Sequence, residues 1–224
     1  MNRLPPLGAD RRRGARGVSL VELMVGVAVG LVVTAFATTM VTAQLKDQRQ
    51  LTLQVQLQQD LRAVADLVAR DLRRAGSWAE AAQQLPALGA QRNPHVETAG
   101  LVPGQPVSQV RYTYQALADE GHAGTGIKLE AGVVKLLLGR AWQPLNDPAV
   151  LRVTDLQLTL HTQDQPLNSY CPRPCPPEAA DCPVLQRRWV SLRVSGEATS
   201  DPRIQRTLAT TVQLPNDHLR GACP

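Results

Sequence analysis

RRRGARG (11–17) followed by VSLVELMVGVAVGLVVTAFATTMVTAQL (18–45) sets the architecture of the whole chain: arginines cluster up to a glycine, and the apolar run behind it is broken by a single acid, Glu22. From Leu23 to Leu45 there is no charged side chain. At a rise of about 1.5 Å per residue, a helix over those positions is roughly 35 Å long, enough for a hydrocarbon core of about 30 Å. One membrane-spanning helix is expected. A secretory signal peptide carries its cleavage site behind the apolar stretch, whereas here the processing-like junction between Gly17 and Val18 lies ahead of it. Cutting there sheds a basic leader and keeps the helix.

The formal charge of +5 and a pI of about 9.4 first suggest a nucleic-acid binder. The distribution removes that reading. Residues 1–17 hold Arg3, Arg11, Arg12, Arg13 and Arg16 against Asp10, and without them 19 basic and 18 acidic residues leave a net charge of +1. Arginines beside an apolar span stay cytoplasmic, which orients the C-terminal bulk outside the cytoplasm. Seven aromatic residues with no basic-aromatic interleaving offer no platform for stacking bases, so direct sequence-specific nucleic-acid recognition is not expected.

Along the apolar run, Gly26, Gly30, Thr34, Thr38 and Thr42 recur every four residues, and small side chains in such a row let helices approach closely. Glu22 reads two ways. An acid at the bilayer centre costs roughly 2.5–3.5 kcal/mol and is retained for a partner, but four residues from Val18 it also fits a headgroup-level position.

Beyond Lys46 the chain turns polar while Leu53, Leu57, Leu61, Val64, Val68 and Leu72 keep helical spacing, which predicts an amphipathic helix ending near Ala75, before Gly76. Asp66 and Arg70 stand four apart, in the order that supports a helix. Alternating stretches predict strands over 107–114, 126–131, 133–139, 150–162, 188–196 and 206–214, close enough in sequence for antiparallel pairing. GHAGTG (121–126) reads as a turn between strands, since it lacks the Gly-Lys-Ser/Thr ending of a phosphate loop. Residues 77–106, rich in Ala, Gln, Gly and Pro, read as a loop wrapping the base of the helix.

The basic leader, Gly17, Val18 and Glu22 together resemble the type IV prepilin family, whose pattern is a Gly before the cut and a Glu at the fifth mature position. The family most often has Phe where this chain has Val18. Further along, DLVARDLRRAGSW (66–78), QVRYTY (109–114), VTDLQLTLHTQD (153–164), WVSLRVS (189–195) and RTLATTVQL (206–214) are similar in order and spacing to PilW-type minor pilins, and more distantly to J-type minor pseudopilins of type II secretion. An aromatic-Gly-Cys stretch often found after the helix in that subfamily is absent, with Ser77 and Trp78 following Gly76.

The resemblance implies an α+β, type IV pilin-like fold: a cytoplasmic leader (1–17), a transmembrane helix (18–45), its amphipathic continuation (46–76), a connecting loop (77–106) and a periplasmic antiparallel β domain (107–224) with a Cys-rich loop at 171–182. It implies prepilin peptidase as a partner, cutting after Gly17 and methylating Val18. It also implies that Glu22 meets the Val18 amine of a neighbouring subunit and sets the axial register. Two opposite charges about 4 Å apart gain about 4 kcal/mol at an effective dielectric of about 20, which offsets moderate burial. Other minor pilins, the major pilin, the inner-membrane assembly platform and membrane lipid complete the implied partners. The implied role is to initiate or cap pilus filaments. The alternatives are a type II secretion pseudopilin and a non-polymerising single-pass protein with a periplasmic ligand-binding domain.

Cys171, Cys175, Cys182 and Cys223 favour two disulfides in an exported domain, with three connectivities open. Any bond to Cys223 staples the tail to the 171–182 loop. A zinc site using His161 or His218 competes poorly, because the proline-dense spacing lacks a paired CxxC and these thiols face an oxidising compartment. His95, His122, His161 and His218 are scattered and read as surface or strand residues. No Ser, His and acid grouping stands in a motif context, so neither enzyme activity nor a cofactor is expected.

Overall fold

The computed structural model describes residues 17–81, 93–115, 123–173, 175–176 and 181–224. Contacts divide the chain into two units, Met1–Gln50 and Leu51–Pro224. Helix α1, Leu20–Leu72, supplies all the described secondary structure of the first. There the apolar side chains from Val18 to Leu45 are exposed on every side of the helix. The hydroxyls of Thr34 and Thr38 donate to the carbonyls of Gly30 and Thr34 at 2.7 and 2.8 Å. Those of Thr39 and Thr42 reach back three residues in the same way. Hydroxyls satisfied within their own helix carry little desolvation cost into lipid.

In the second unit α1 has one buried stripe, Leu57, Leu61, Val64, Val68 and Leu72. The three-and-four spacing puts these side chains on one face, which packs into a core shared with two antiparallel sheets. The first sheet has the order β1 (Thr98–Ala99), β3 (Gln109–Tyr114), β4 (Ala123–Glu130), β5 (Val133–Leu138) and β6 (Ala141–Pro144). The second has the order β10 (His218–Arg220), β8 (Val184–Ala198), β7 (Leu151–Pro166) and β2 (Pro106–Val107), with β9 (Asp201–Gln213) also paired to β8. The architecture is α+β and pilin-like: one long N-terminal helix packed on antiparallel sheets.

Alternation explains the strands. Val110, Ile127 and Leu136 stand opposite one another in register and point inward, as do Leu158 and Leu192 in the second sheet. In β7, Leu151 and Val153 point inward, then Leu156, Leu158 and Leu160 do, so the inward phase moves from odd to even positions. A bulge between Val153 and Asp155 absorbs the extra residue.

Several boundaries differ from those read in the sequence. α1 ends at Leu72, not near Ala75, because the Arg74 and Ala75 amides bond to Asp71 and Leu72 in tighter three-residue turns. Among the described residues the ion pairs do not include Asp66 with Arg70. The stretch 107–114 is not one strand: Val107 pairs with Leu158 in the second sheet, and from Gln109 the chain pairs in the first. The 77–106 stretch carries β1 and β2, while 82–92 lie outside the described residues. Ala123–Gly126 of GHAGTG belong to β4, and Gly121 and His122 lie outside the described residues. Gly126 serves close approach instead, since a Cβ there would stand 2.8 Å from the Val110 carbonyl.

Two positions join the layers. The Asn146 side chain accepts the Val134 amide at 2.8 Å and donates to the carbonyls of Gly132 at 3.2 Å and Leu151 at 2.8 Å, tying the β5 hairpin to β7. On β8, a Cβ at Gly196 would lie 2.7 Å from Leu151 Cδ1 and 3.2 Å from Leu61 Cδ1, so the absence of a side chain lets helix and sheet close. Asn146→Ala removes three hydrogen bonds to backbone groups, of which the Gly132 carbonyl keeps the Val153 amide as a partner, and urea unfolding of the detergent-solubilised chain should register a loss of about 2–3 kcal/mol. Gly196→Ala should lose about 1–3 kcal/mol in the same assay through overpacking.

Candidate functional site

Gly17 and Val18 precede the helix outside any regular element, and the Ser19 carbonyl accepts the Leu23 amide at 3.0 Å to start the first turn. Glu22 falls in that turn, where the positive end of the helix dipole favours an acid. Its carboxylate is exposed and, among the described residues, makes no ion pair. The leader arginines lie outside the described residues. Gly26 and Gly30 have nothing within 4 Å of where a Cβ would stand. With Thr34, whose hydroxyl is satisfied by the Gly30 carbonyl, they form a narrow exposed row.

The end of α1 is held by a cluster of polar groups around Asp71. Asp71 is buried at the helix C-terminus, where the dipole disfavours an anion. It accepts a hydrogen bond from the Tyr112 hydroxyl, a longer one from Thr125 Oγ1 at 3.3 Å, and faces Arg74 at 3.7 Å. Arg74 in turn lies over the Tyr114 ring and donates to its hydroxyl. Burial first, and then the Asp71 carboxylate, hold the Tyr112 phenol well above its ordinary value.

Gly76, at φ +76°, turns the chain out of the helix. Its amide donates to the Thr113 carbonyl at 3.2 Å, and its carbonyl accepts from Asn93 Nδ2 at 2.9 Å and Asn216 Nδ2 at 3.2 Å. His95, read in the sequence as a surface or strand residue, is buried here, with Nδ1 2.9 Å from Thr113 Oγ1. Arg188 takes an inward β8 position and donates to the Val96 carbonyl at 2.5 Å. Burial lowers its tendency to hold a proton, and Asp217 opposes that only in part. Nothing local marks these residues: their burial follows from which strands and loops meet at the helix end.

The cysteines pair as Cys171–Cys223 and Cys175–Cys182, and none is free. The first closes a separation of 52 residues, worth roughly 4 kcal/mol in the chain-entropy model, beside the point where β10 pairs with the start of β8. His161 stacks on Trp189 with ring centres 5.6 Å apart, and its Nε2 lies 2.9 Å from Ser191 Oγ. The geometry makes it a cross-strand packing residue. Among the described residues no three His, Cys, Asp or Glu side chains converge as a metal site. The arrangement offers an apolar helix surface, an acid at its head and a braced sheet domain.

Residues 12–38 match the prokaryotic N-terminal methylation motif, and residues 50–214 match the family model for prepilin peptidase-dependent protein B. No curated protein and no solved structure matches the chain.

The folded Tyr112 phenol keeps its proton at a pH where the unfolded one has lost it, so its contribution is complete below about pH 10 and is lost as pH rises beyond that. Tyr112→Phe should therefore cost about 1–3 kcal/mol at neutral pH, and its deficit against the wild type should shrink above about pH 10 in denaturant unfolding run across pH.

Proposed function

The chain belongs to the prepilin peptidase-dependent protein B family, and from that premise we propose that it is processed after Gly17 and assembles as a PilW-like minor component that initiates or caps a type IV pilus. It is a type IV pilin-like minor pilin, anchored in the membrane by one helix and structural rather than enzymatic in kind. Prepilin peptidase is the partner its family name states.

The observation that carries the finer reading is the exposed apolar surface of α1 from Val18 to Leu45 with Glu22 in its first turn. In the membrane, lipid covers that surface; in a filament, neighbouring helices do, with the Gly26, Gly30 and Thr34 row permitting close approach. Cleavage at Gly17 frees the Val18 amine, and Glu22 of the next subunit is the anion that meets it. The leader arginines favour a cytoplasmic N-terminus in the inner membrane, with residues 51–224 on the periplasmic side and then on the pilus surface. Other minor pilins, the major pilin and the assembly platform are the partners in this reading.

Mass spectrometry of the protein from cells holding the peptidase should find a mature terminus at Val18 carrying one methyl group. A full-length, uncut chain would sink the proposal at its first step. Gly17→Val should abolish the cut. Glu22→Ala should leave cutting and insertion intact and reduce pilus number by about tenfold or more, the scale expected when a contact of about 1.4 kcal/mol or greater is lost. Normal piliation in that variant would remove Glu22 from the register.

A further inference from the structure

On the outward face of the first sheet, the register lines up Arg111, Gly126, Leu137 and Trp142 in one row and sets Lys128 beside Lys135 in the next. The Trp142 indole reaches across to β4, where a Cβ at Gly126 would stand 3.4 Å from its Cη2. Two cations lie over that one ring. Lys128 Nζ is 4.6 Å and the Arg111 guanidinium 5.9 Å from its centre. These residues are far apart in the chain, so no basic-aromatic run marks them, and the sheet alone brings them together.

Their charges are not cancelled. Glu130 takes Lys135 at 2.6 Å and Lys128 at 3.1 Å, one acid between two lysines. The exposed Arg111 enters no ion pair among the described residues, so this face carries two positive charges in excess. An exposed cation–π contact is worth about 0.5–1 kcal/mol and restrains a side chain that would otherwise be mobile. A ligand therefore meets the two cations already placed, which lowers the ordering cost of binding. Beside Arg111 the floor is open: Gly124 is exposed, and nothing lies within 4 Å of where its Cβ would stand.

We propose that this face binds a carboxylated polysaccharide. The planar Arg111 fork takes one carboxylate through two parallel hydrogen bonds, and Lys128 takes another as a point charge. A sugar ring lies on the bare backbone at Gly124, and the exposed Gln109 amide, in the Lys128 row, meets hydroxyls. The balance of charge selects this polymer over a nucleic acid. A single strand held through its backbone takes a longer run of cations and ring faces free for stacking bases. Here the excess is two charges, and both cations already cover the indole. A polymer with one carboxylate per sugar asks for no more than that. The face is independent of cutting at Gly17 and of Glu22.

Calorimetric titration of the detergent-solubilised full chain with a short oligogalacturonate should give saturable binding. Arg111→Gln should weaken it about tenfold, the scale of a lost hydrogen-bonded charge pair. Gly124→Val fills the open floor, leaves every cation in place and should weaken binding as well; Gly124→Ala replaces it if the urea midpoint shows that valine unfolds the sheet. The methyl-esterified oligomer, equal in backbone but uncharged, should not bind, and a thymidine oligonucleotide of equal charge should bind less tightly. No saturable binding, equal binding of ester and acid, an oligonucleotide bound as tightly, or an affinity indifferent to Arg111→Gln or to the folded Gly124 variant would each overturn the proposal. Gly17→Val and Glu22→Ala should leave binding unchanged, which separates this face from the pilus reading.

Discussion

Apolar surface that water does not tolerate governs this protein in two ways along one helix. From Leu20 to Leu45 α1 is exposed on every side and, Glu22 apart, carries no charge, a surface suited to cover by lipid or other helices. From Leu57 to Leu72 the apolar positions shrink to a single stripe, and the two sheets supply its cover. The hydroxyls of Thr34 and Thr38 are spent inside their own helix, which keeps the first region compatible with a medium lacking hydrogen-bond partners.

Covering the second stripe requires that polar groups at the helix end be satisfied as well. Asp71 is tolerated beneath the sheet because Tyr112, Thr125 and Arg74 surround its carboxylate. Gly76 is required because Arg188 and the His95 carbonyl crowd the place of a side chain, while Asn93, Asn216 and the Thr113 carbonyl take up its backbone groups. Asn146 does the corresponding work between the sheets. These contacts give the sheet domain one fixed attachment to the last turn of the helix.

The most legible strand was β8, whose Val190, Leu192 and Val194 alternate without interruption in both sequence and structure. β7 was legible as one strand over 150–162, but the bulge inside it was not: its inward residues change phase between Val153 and Leu156, and only the pairing with β8 places the extra residue. The short strands β1, β2, β6 and β10 carry too few residues to show any period, and their existence depends on partners such as Tyr112 and Leu158 far away in the chain. The site divides in the same way: Gly17, Val18 and Glu22 stand in a contiguous motif, whereas Asn93, His95 and Arg188 have no local signature.

By itself, then, the sequence determined the order of basic N-terminal stretch, apolar helix, amphipathic helix and β-rich body. Hydropathy and its period are properties of neighbouring residues, so no fold is needed to see them. Tertiary structure alone decided that Cys223 bonds to Cys171, that Ser108 is where the chain changes sheets, that Arg188 is buried and that β9 ends the second sheet. Each of these depends on which distant segments come to lie side by side, and that choice is made by burial of the whole core at once, which no local window contains.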